Sequence, residues 1–150
     1  MDTPIYFYRV NEEYGIFSNF HRYGFWEGDT HWRTVEHYFQ AQKFLDKDIQ
    51  RRVERCYKAS EAAEMGRRRS LPLRKDWEQV KDDVMRYAVL QKFSQNSEAK
   101  ELLLSTGNRV LVEHTKNDAY WADGGDGSGK NRLGEILMEV REQLRTEQTA

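Results

Sequence analysis

Apolar residues recur along most of the chain every three or four positions, the period of a helix with one buried face. Val35, Tyr38, Ala41 and Leu45 predict a helix over 35–45, with Thr34 placed to cap it. Trp77, Val80, Val84, Tyr87, Ala88 and Phe93 predict a longer one, opened by Asp76 and Gln79 in the spacing of a capping box. Leu133, Ile136, Leu137, Val140 and Leu144 predict a last helix that starts near Asn131. Shorter helices are expected over 48–57, over 60–69 with Ser60 as its cap, and over 97–104, where Gly107 stops the turn. The two-residue period of a strand is confined to Ile5–Tyr8 and Val110–Val112. Between them, Gly15, Gly24 and Gly28 interrupt an aromatic stretch around Phe17–Phe20, which predicts an irregular or short-stranded cap. The pattern is that of an α+β fold, predominantly α-helical, with a few short strands.

Composition narrows this further. In 150 residues, 38% are hydrophobic and 13% aromatic, enough to bury a core and too much for a disordered chain. Pro4 and Pro72 are the only prolines, and no Ser- or Pro-rich linker or internal repeat divides the sequence. A single domain over 1–150 is expected. The 24 basic and 25 acidic residues nearly cancel, so the chain lacks the overall basic excess of a protein that grips nucleic acid mainly through phosphates. One cysteine, Cys56, forms no internal disulfide and reads as a packing residue. The first residues carry no secretory pattern and no apolar run approaches the roughly 20 residues that span a bilayer. A cytoplasmic protein without a membrane partner is expected.

Candidate chemistry concentrates in Glu36–Phe44. At 3.6 residues per turn, Glu36, Gln40 and Lys43 fall within roughly 60° of one another. They form either a solvated stripe with an acid and a base, or one wall of a cleft. In a cleft the carboxylate serves as acid or base, and a desolvated lysine attacks an electrophilic carbon. His37 lies off this stripe and reads as structural. No histidine pair or Cys-x-x-Cys has metal-ligand spacing, so no metal is expected. Gly124, Gly129 and Lys130 have phosphate-loop spacing, but Asn131 stands where a magnesium-binding Ser or Thr is needed and Asp126 brings negative charge. What remains is a glycine-rich turn before a helix, either an anion cradle or a plain loop. Trp121 and Asp123 offer an aromatic face beside a carboxylate, with core packing the competing reading for the ring. Arg67, Arg68 and Arg69 are either a solvated helix end or phosphate contacts.

Taken together, these segments resemble the YbiA-like NADAR family of N-glycosidases. The resemblance rests on FSNF at 17–20, W-x-T-x-EHYFQAQKF from Trp32 to Phe44, R-x-DW from Arg74 to Trp77, and VM-x-x-A from Val84 to Ala88. It continues with KF at 92–93, LL-x-x-TG from Leu103 to Gly107, LVE from Leu111 to Glu113, D-x-x-W from Asp118 to Trp121, and DG-x-G-x-N-x-LG from Asp126 to Gly134. It implies cleavage of a bond between ribose C1 and a nitrogen, without metal or organic cofactor. Two substrate classes follow from it: phosphoribosylamino-pyrimidine intermediates of riboflavin synthesis, releasing ribose 5-phosphate, and ADP-ribose attached to guanine in nucleic acid. A non-catalytic ADP-ribose- or nucleotide-binding module is the third possibility. Glu36 is implied as the catalytic acid and Lys43 as a nucleophile that traps C1 as an imine. Asn19, Gln40, Trp77, Trp121, Asp123, Asp126 and Asn131 are implied as substrate-binding. Many family members read W-G-x-G where this chain has Trp121, Ala122, Asp123 and Gly124, so an added methyl reshapes that loop.

Overall fold

The computed structural model describes residues 3–149. In chain order the elements are β1 (Ile5–Phe7), a 3-10 turn (Gly15–Phe17), β2 (Phe25–Glu27), β3 (Thr30–Trp32), α1 (Val35–Ala41), α2 (Lys47–Glu54), α3 (Ala59–Arg67), α4 (Trp77–Gln95), α5 (Ser97–Ser105), β4 (Leu111–Glu113) and α6 (Arg132–Thr149). The fold is α+β and predominantly helical, as the periodicity predicts. The chain forms two compact units, Asn19–Lys92 and the remainder.

In the Asn19–Lys92 unit, β2 and β3 form an antiparallel hairpin with Phe25 opposite Trp32 and Glu27 opposite Thr30. Its two-residue turn begins with Gly28 at φ 59°, where a tight hairpin needs a residue without a side chain. Thr34 caps α1 as predicted, its hydroxyl accepting from the His37 amide. All seven residues of α1 are buried, because α2 and α3 both pack on it. Three expectations need correction. The first helix ends at Ala41, not Leu45: the chain turns so that Phe44 bridges to Leu73 and the Lys43 carbonyl accepts from the Arg74 amide. Leu45 is thereby left exposed. Asp46, released from that helix, caps α2 through the amides of Asp48 and Ile49. α3 starts at Ala59 after Lys58, whose amide donates to Glu61, so Ser60 is not the cap. On α4 the Asp76 carboxylate takes the Arg74 guanidinium, and the buried stripe runs through Trp77, Met85, Ala88, Val89 and Lys92 while Tyr87 lies at the surface.

In the other unit, β1 runs parallel to β4, with Ile5 opposite Leu111. Phe17 packs against Phe7 and Phe93. Leu133, Ile136, Leu137, Val140 and Leu144 of α6 are all buried, as their spacing predicts, and this helix covers β4 and α5. The buried Arg141 guanidinium donates to the Thr106 hydroxyl and the Arg109 carbonyl, tying α6 to the end of α5. No helix among the described residues is long and apolar enough to cross a membrane.

Candidate functional site

α1 presents Glu36 and Gln40 one turn apart, and both are buried. The Gln40 side-chain amide donates to Glu36 Oε2 at 2.7 Å, and the Glu36 backbone amide donates to the Asn19 carbonyl. Asn19, which also contacts Met85 through its side chain, thus anchors the start of the helix that carries the carboxylate. Among the described residues, the Gln40 side-chain oxygen Oε1 is buried without a hydrogen-bond partner, and it lies against Gly66 of α3. A Cβ at position 66 would stand 1.8 Å from that oxygen, so any other residue there would force the Gln40 amide out of this position.

Lys43 reaches the same neighbourhood from the turn after α1, not from the helix itself. Its backbone amide donates to the Gln40 carbonyl, and its Nζ lies 3.4 Å from the Gly66 carbonyl. The ammonium also stands 5.9 Å from the Phe39 ring and 6.0 Å from the Trp77 ring. Those two rings meet edge to face at 5.0 Å. Burial lowers the Lys43 pKa below the ordinary lysine value. Glu36 opposes this shift, Arg69 and Arg67 reinforce it, and Glu78 opposes it more weakly. The result is a lysine that gives up its proton more readily, held among aromatic rings and sensing a carboxylate.

His37 is buried between two partners. Its Nε2 lies 2.9 Å from the Cys56 carbonyl, which can only accept, so Nε2 carries the proton and Nδ1 accepts from the Thr34 hydroxyl at 2.8 Å. Burial also lowers its pKa, and it braces α1 as a neutral ring. Cys56 is half-buried against Met65, and burial raises its thiol pKa, the opposite of a reactive thiolate.

The second unit holds the remaining predicted site residues. Tyr6, Val112, His114, Asp123, Gly125, Asp126, Gly127, Gly129 and Asn131 line a cavity of about 630 Å³. Within it, the buried Asp123 carboxylate accepts from the amides of Thr115 and Gly125 and lies 2.7 Å from His114 Nδ1. Burial alone would raise its pKa, but these hydrogen bonds together hold the carboxyl below the ordinary value. Asn131, in the left-handed conformation at φ 51°, accepts from the Glu113 amide and donates to the Leu111 carbonyl, fixing β4 to the start of α6. Asp126 accepts from Ser128 at the exposed tip of the loop. Trp121 is half-buried and packs edge to face on Tyr120 at 4.8 Å. Lys130 lies over the Tyr120 ring rather than in a phosphate loop. Among the described residues, no three His, Cys, Asp or Glu side chains gather as a metal site would require.

The structure thus brings Asn19, Glu36, Gln40, Lys43 and Trp77 together in one unit, and gathers Asp123, Asp126 and Asn131 around a cavity in the other. Gly66 and His114 escaped the sequence reading. For Gly66 the signal was present: a glycine within a helix costs about 1 kcal/mol relative to alanine, which suggests close approach by another group.

Comparison with known proteins bears on the same residues. The NADAR domain profile matches residues 6–145. The N-glycosidase YbiA of Escherichia coli is 55% identical over 97% of this chain and 91% of its own. A riboflavin biosynthesis protein of Vibrio vulnificus is 44% identical over 96% of this chain, which corresponds to 39% of that larger protein. The solved NMR structure of E. coli YbiA superposes with a TM-score of 0.92 at 54% identity, covering 99% of this chain and 88% of the other. The family profile spans both the Glu36–Lys43 cluster and the Asp123–Asn131 loop, and on these findings the chain belongs to the NADAR family.

Proposed function

We propose that this protein is an N-glycosidase that hydrolyses the ribose C1–N bond of a phosphoribosylamino-pyrimidine and releases ribose 5-phosphate. The observation that carries this reading is the buried Lys43, its proton affinity lowered, set beside the Phe39–Trp77 ring pair and within the electrostatic reach of Glu36. The names of the relatives, N-glycosidase and riboflavin biosynthesis protein, agree with it.

The chemistry follows from what each group can do. An amine leaves poorly as an anion, so the departing nitrogen must be protonated. Glu36 donates a proton to the ring oxygen or the departing nitrogen. The Lys43 amine forms a bond to C1 as the ring C1–O bond opens and the ring oxygen takes a proton; Nζ then gives a proton to the departing nitrogen, the C1–N bond breaks as the amine departs, and C1 of the opened ribose remains joined to Nζ as an imine. One water then adds to C1, and C–Nζ cleavage returns the lysine and the free sugar. Gln40 holds the carboxylate in place through its amide. Trp77 and Phe39 shield the imine from bulk solvent. In the other unit, Asp123 and Asn131 hold the glycine-rich loop through hydrogen bonds to backbone groups.

The rival substrate is ADP-ribose on guanine, whose phosphates would equally meet the exposed cations Arg67 and Arg69. Mass-spectrometric product analysis separates the two. Wild type and Glu36→Gln are incubated with a phosphoribosylamino-pyrimidine and, separately, with ADP-ribosylated guanosine. Ribose 5-phosphate from the first, lost in the variant, is the expected result; free guanosine from the second alone would overturn it.

A further inference from the structure

We propose that Arg69, assisted by Arg67, is the phosphate-binding group of the site, holding the phosphate on C5 of the ribose whose C1 faces Glu36 and Lys43. The proposal rests on the glycosidase reading above and assigns its substrate a phosphorylated sugar.

Geometry places Arg69 beside the reacting groups. Its Nη1 lies 3.2 Å from the Gly66 carbonyl oxygen, the same atom that Lys43 Nζ approaches at 3.4 Å. One carbonyl therefore carries two cationic donors, and their nitrogens are no farther apart than those two distances laid end to end. C5 is the exocyclic carbon on C4, the ring carbon across the ring oxygen from C1, so a sugar that presents C1 to Lys43 carries its phosphate only a few bonds away.

Charge points the same way. Arg69 and Arg67 both act on Lys43 as neighbouring positive charges. Glu36 and Glu78 are the carboxylates that act on it, and Glu78 is engaged at 2.6 Å by Lys81. Arg68 is matched by Glu64 on the preceding turn. Neither Arg67 nor Arg69 has a carboxylate partner among the described residues, and both are exposed. Close to Lys43 the positive charge exceeds the negative, and a planar guanidinium is the donor best matched to a phosphate.

The phosphate could be the monoester of a ribose 5-phosphate unit or the diphosphate of ADP-ribose, and the test separates them. The kcat/KM for a phosphoribosylamino-pyrimidine is divided by that for the same compound without its phosphate, in wild type, Arg69→Gln, Arg67→Gln, Arg69→Lys and Arg68→Gln. Loss of one charge-assisted hydrogen bond lowers this ratio about tenfold or more in Arg69→Gln, less in Arg67→Gln, with partial recovery in Arg69→Lys. Arg68→Gln, already matched by Glu64, leaves the ratio at its wild-type value. A purely structural Arg69 lowers both rates together and leaves the ratio unchanged, which would overturn the assignment. Ribose 5-phosphate binding by calorimetry gives a readout independent of turnover. Equal affinity in wild type and Arg69→Gln would also overturn it, whereas wild-type failure to cleave either compound would instead strike the glycosidase reading. If the ratio drops only for ADP-ribosylated guanosine against ribosylated guanosine, Arg69 binds the diphosphate and the monoester assignment is wrong.

Discussion

Replacing Gly66 by alanine tests how Gln40 supports the carboxylate. The new Cβ would stand 1.8 Å from Gln40 Oε1 and 2.7 Å from its Cδ, so the amide group must swing away. That movement breaks the 2.7 Å bond from Gln40 to Glu36, while the Gly66 carbonyl under Lys43 stays in place. Two stability effects oppose each other: overpacking a buried contact costs between about 1 and 3 kcal/mol, and alanine in place of a helical glycine contributes about 1 kcal/mol. The net change is at most about 2 kcal/mol of destabilisation. The functional loss is larger, since a hydrogen bond to a charged group is worth between about 1.5 and 3 kcal/mol, or roughly ten- to hundredfold in kcat/KM. Urea denaturation and steady-state kinetics on Gly66→Ala, Gln40→Ala and the double variant measure both. Without the Gln40 side chain the collision disappears, so the double variant should lose no more kcat/KM than Gln40→Ala alone. Full activity in Gly66→Ala, or additive losses in the double variant, would refute the role given to Gln40.

Other consequences are open to direct measurement. Lys92 is fully buried and its pKa is pushed down to about 7 by loss of hydration; the unfolded chain therefore binds the extra proton between about 7 and 10.5, and stability should rise with pH across that window. Lys92→Met should abolish that rise in a series of denaturation curves. Thr34→Val removes both the α1 cap and the hydroxyl that donates to His37, and thermal unfolding should report a loss of between about 1 and 2 kcal/mol. Because the neutral Lys43 amine is the reactive form, kcat/KM should climb with pH and level off below the ordinary lysine pKa of 10.5. A profile with no lysine limb would argue against attack by Lys43.

The long helices were legible because their apolar residues repeat over many turns, and α6 buries all five residues its spacing selected. The end of α1 was not. Lys43 was placed with Glu36 by helical spacing, yet it arrives through a turn fixed by Leu73 and Arg74, about thirty residues away and invisible to any local period. The β2–β3 hairpin was hidden because β2 has one buried residue, Phe25, followed by exposed Trp26 and Glu27, which leaves no alternation to read, while the Gly28 turn alone did not say which residues pair. Loop residues behaved similarly. Asp123 and Asn131 stood out as polar groups in a glycine-rich segment, but only the fold shows their side chains spent on Thr115, Gly125, Glu113 and Leu111.

Borohydride reduction during turnover tests the central claim most directly. With a phosphoribosylamino-pyrimidine as substrate, the imine should be trapped as a stable ribose phosphate adduct that peptide mass spectrometry locates on Lys43, and Lys43→Ala should show neither adduct nor normal turnover. Wild-type turnover without any adduct, together with near-normal rates in Lys43→Ala, would contradict the account and leave direct attack by water as the route.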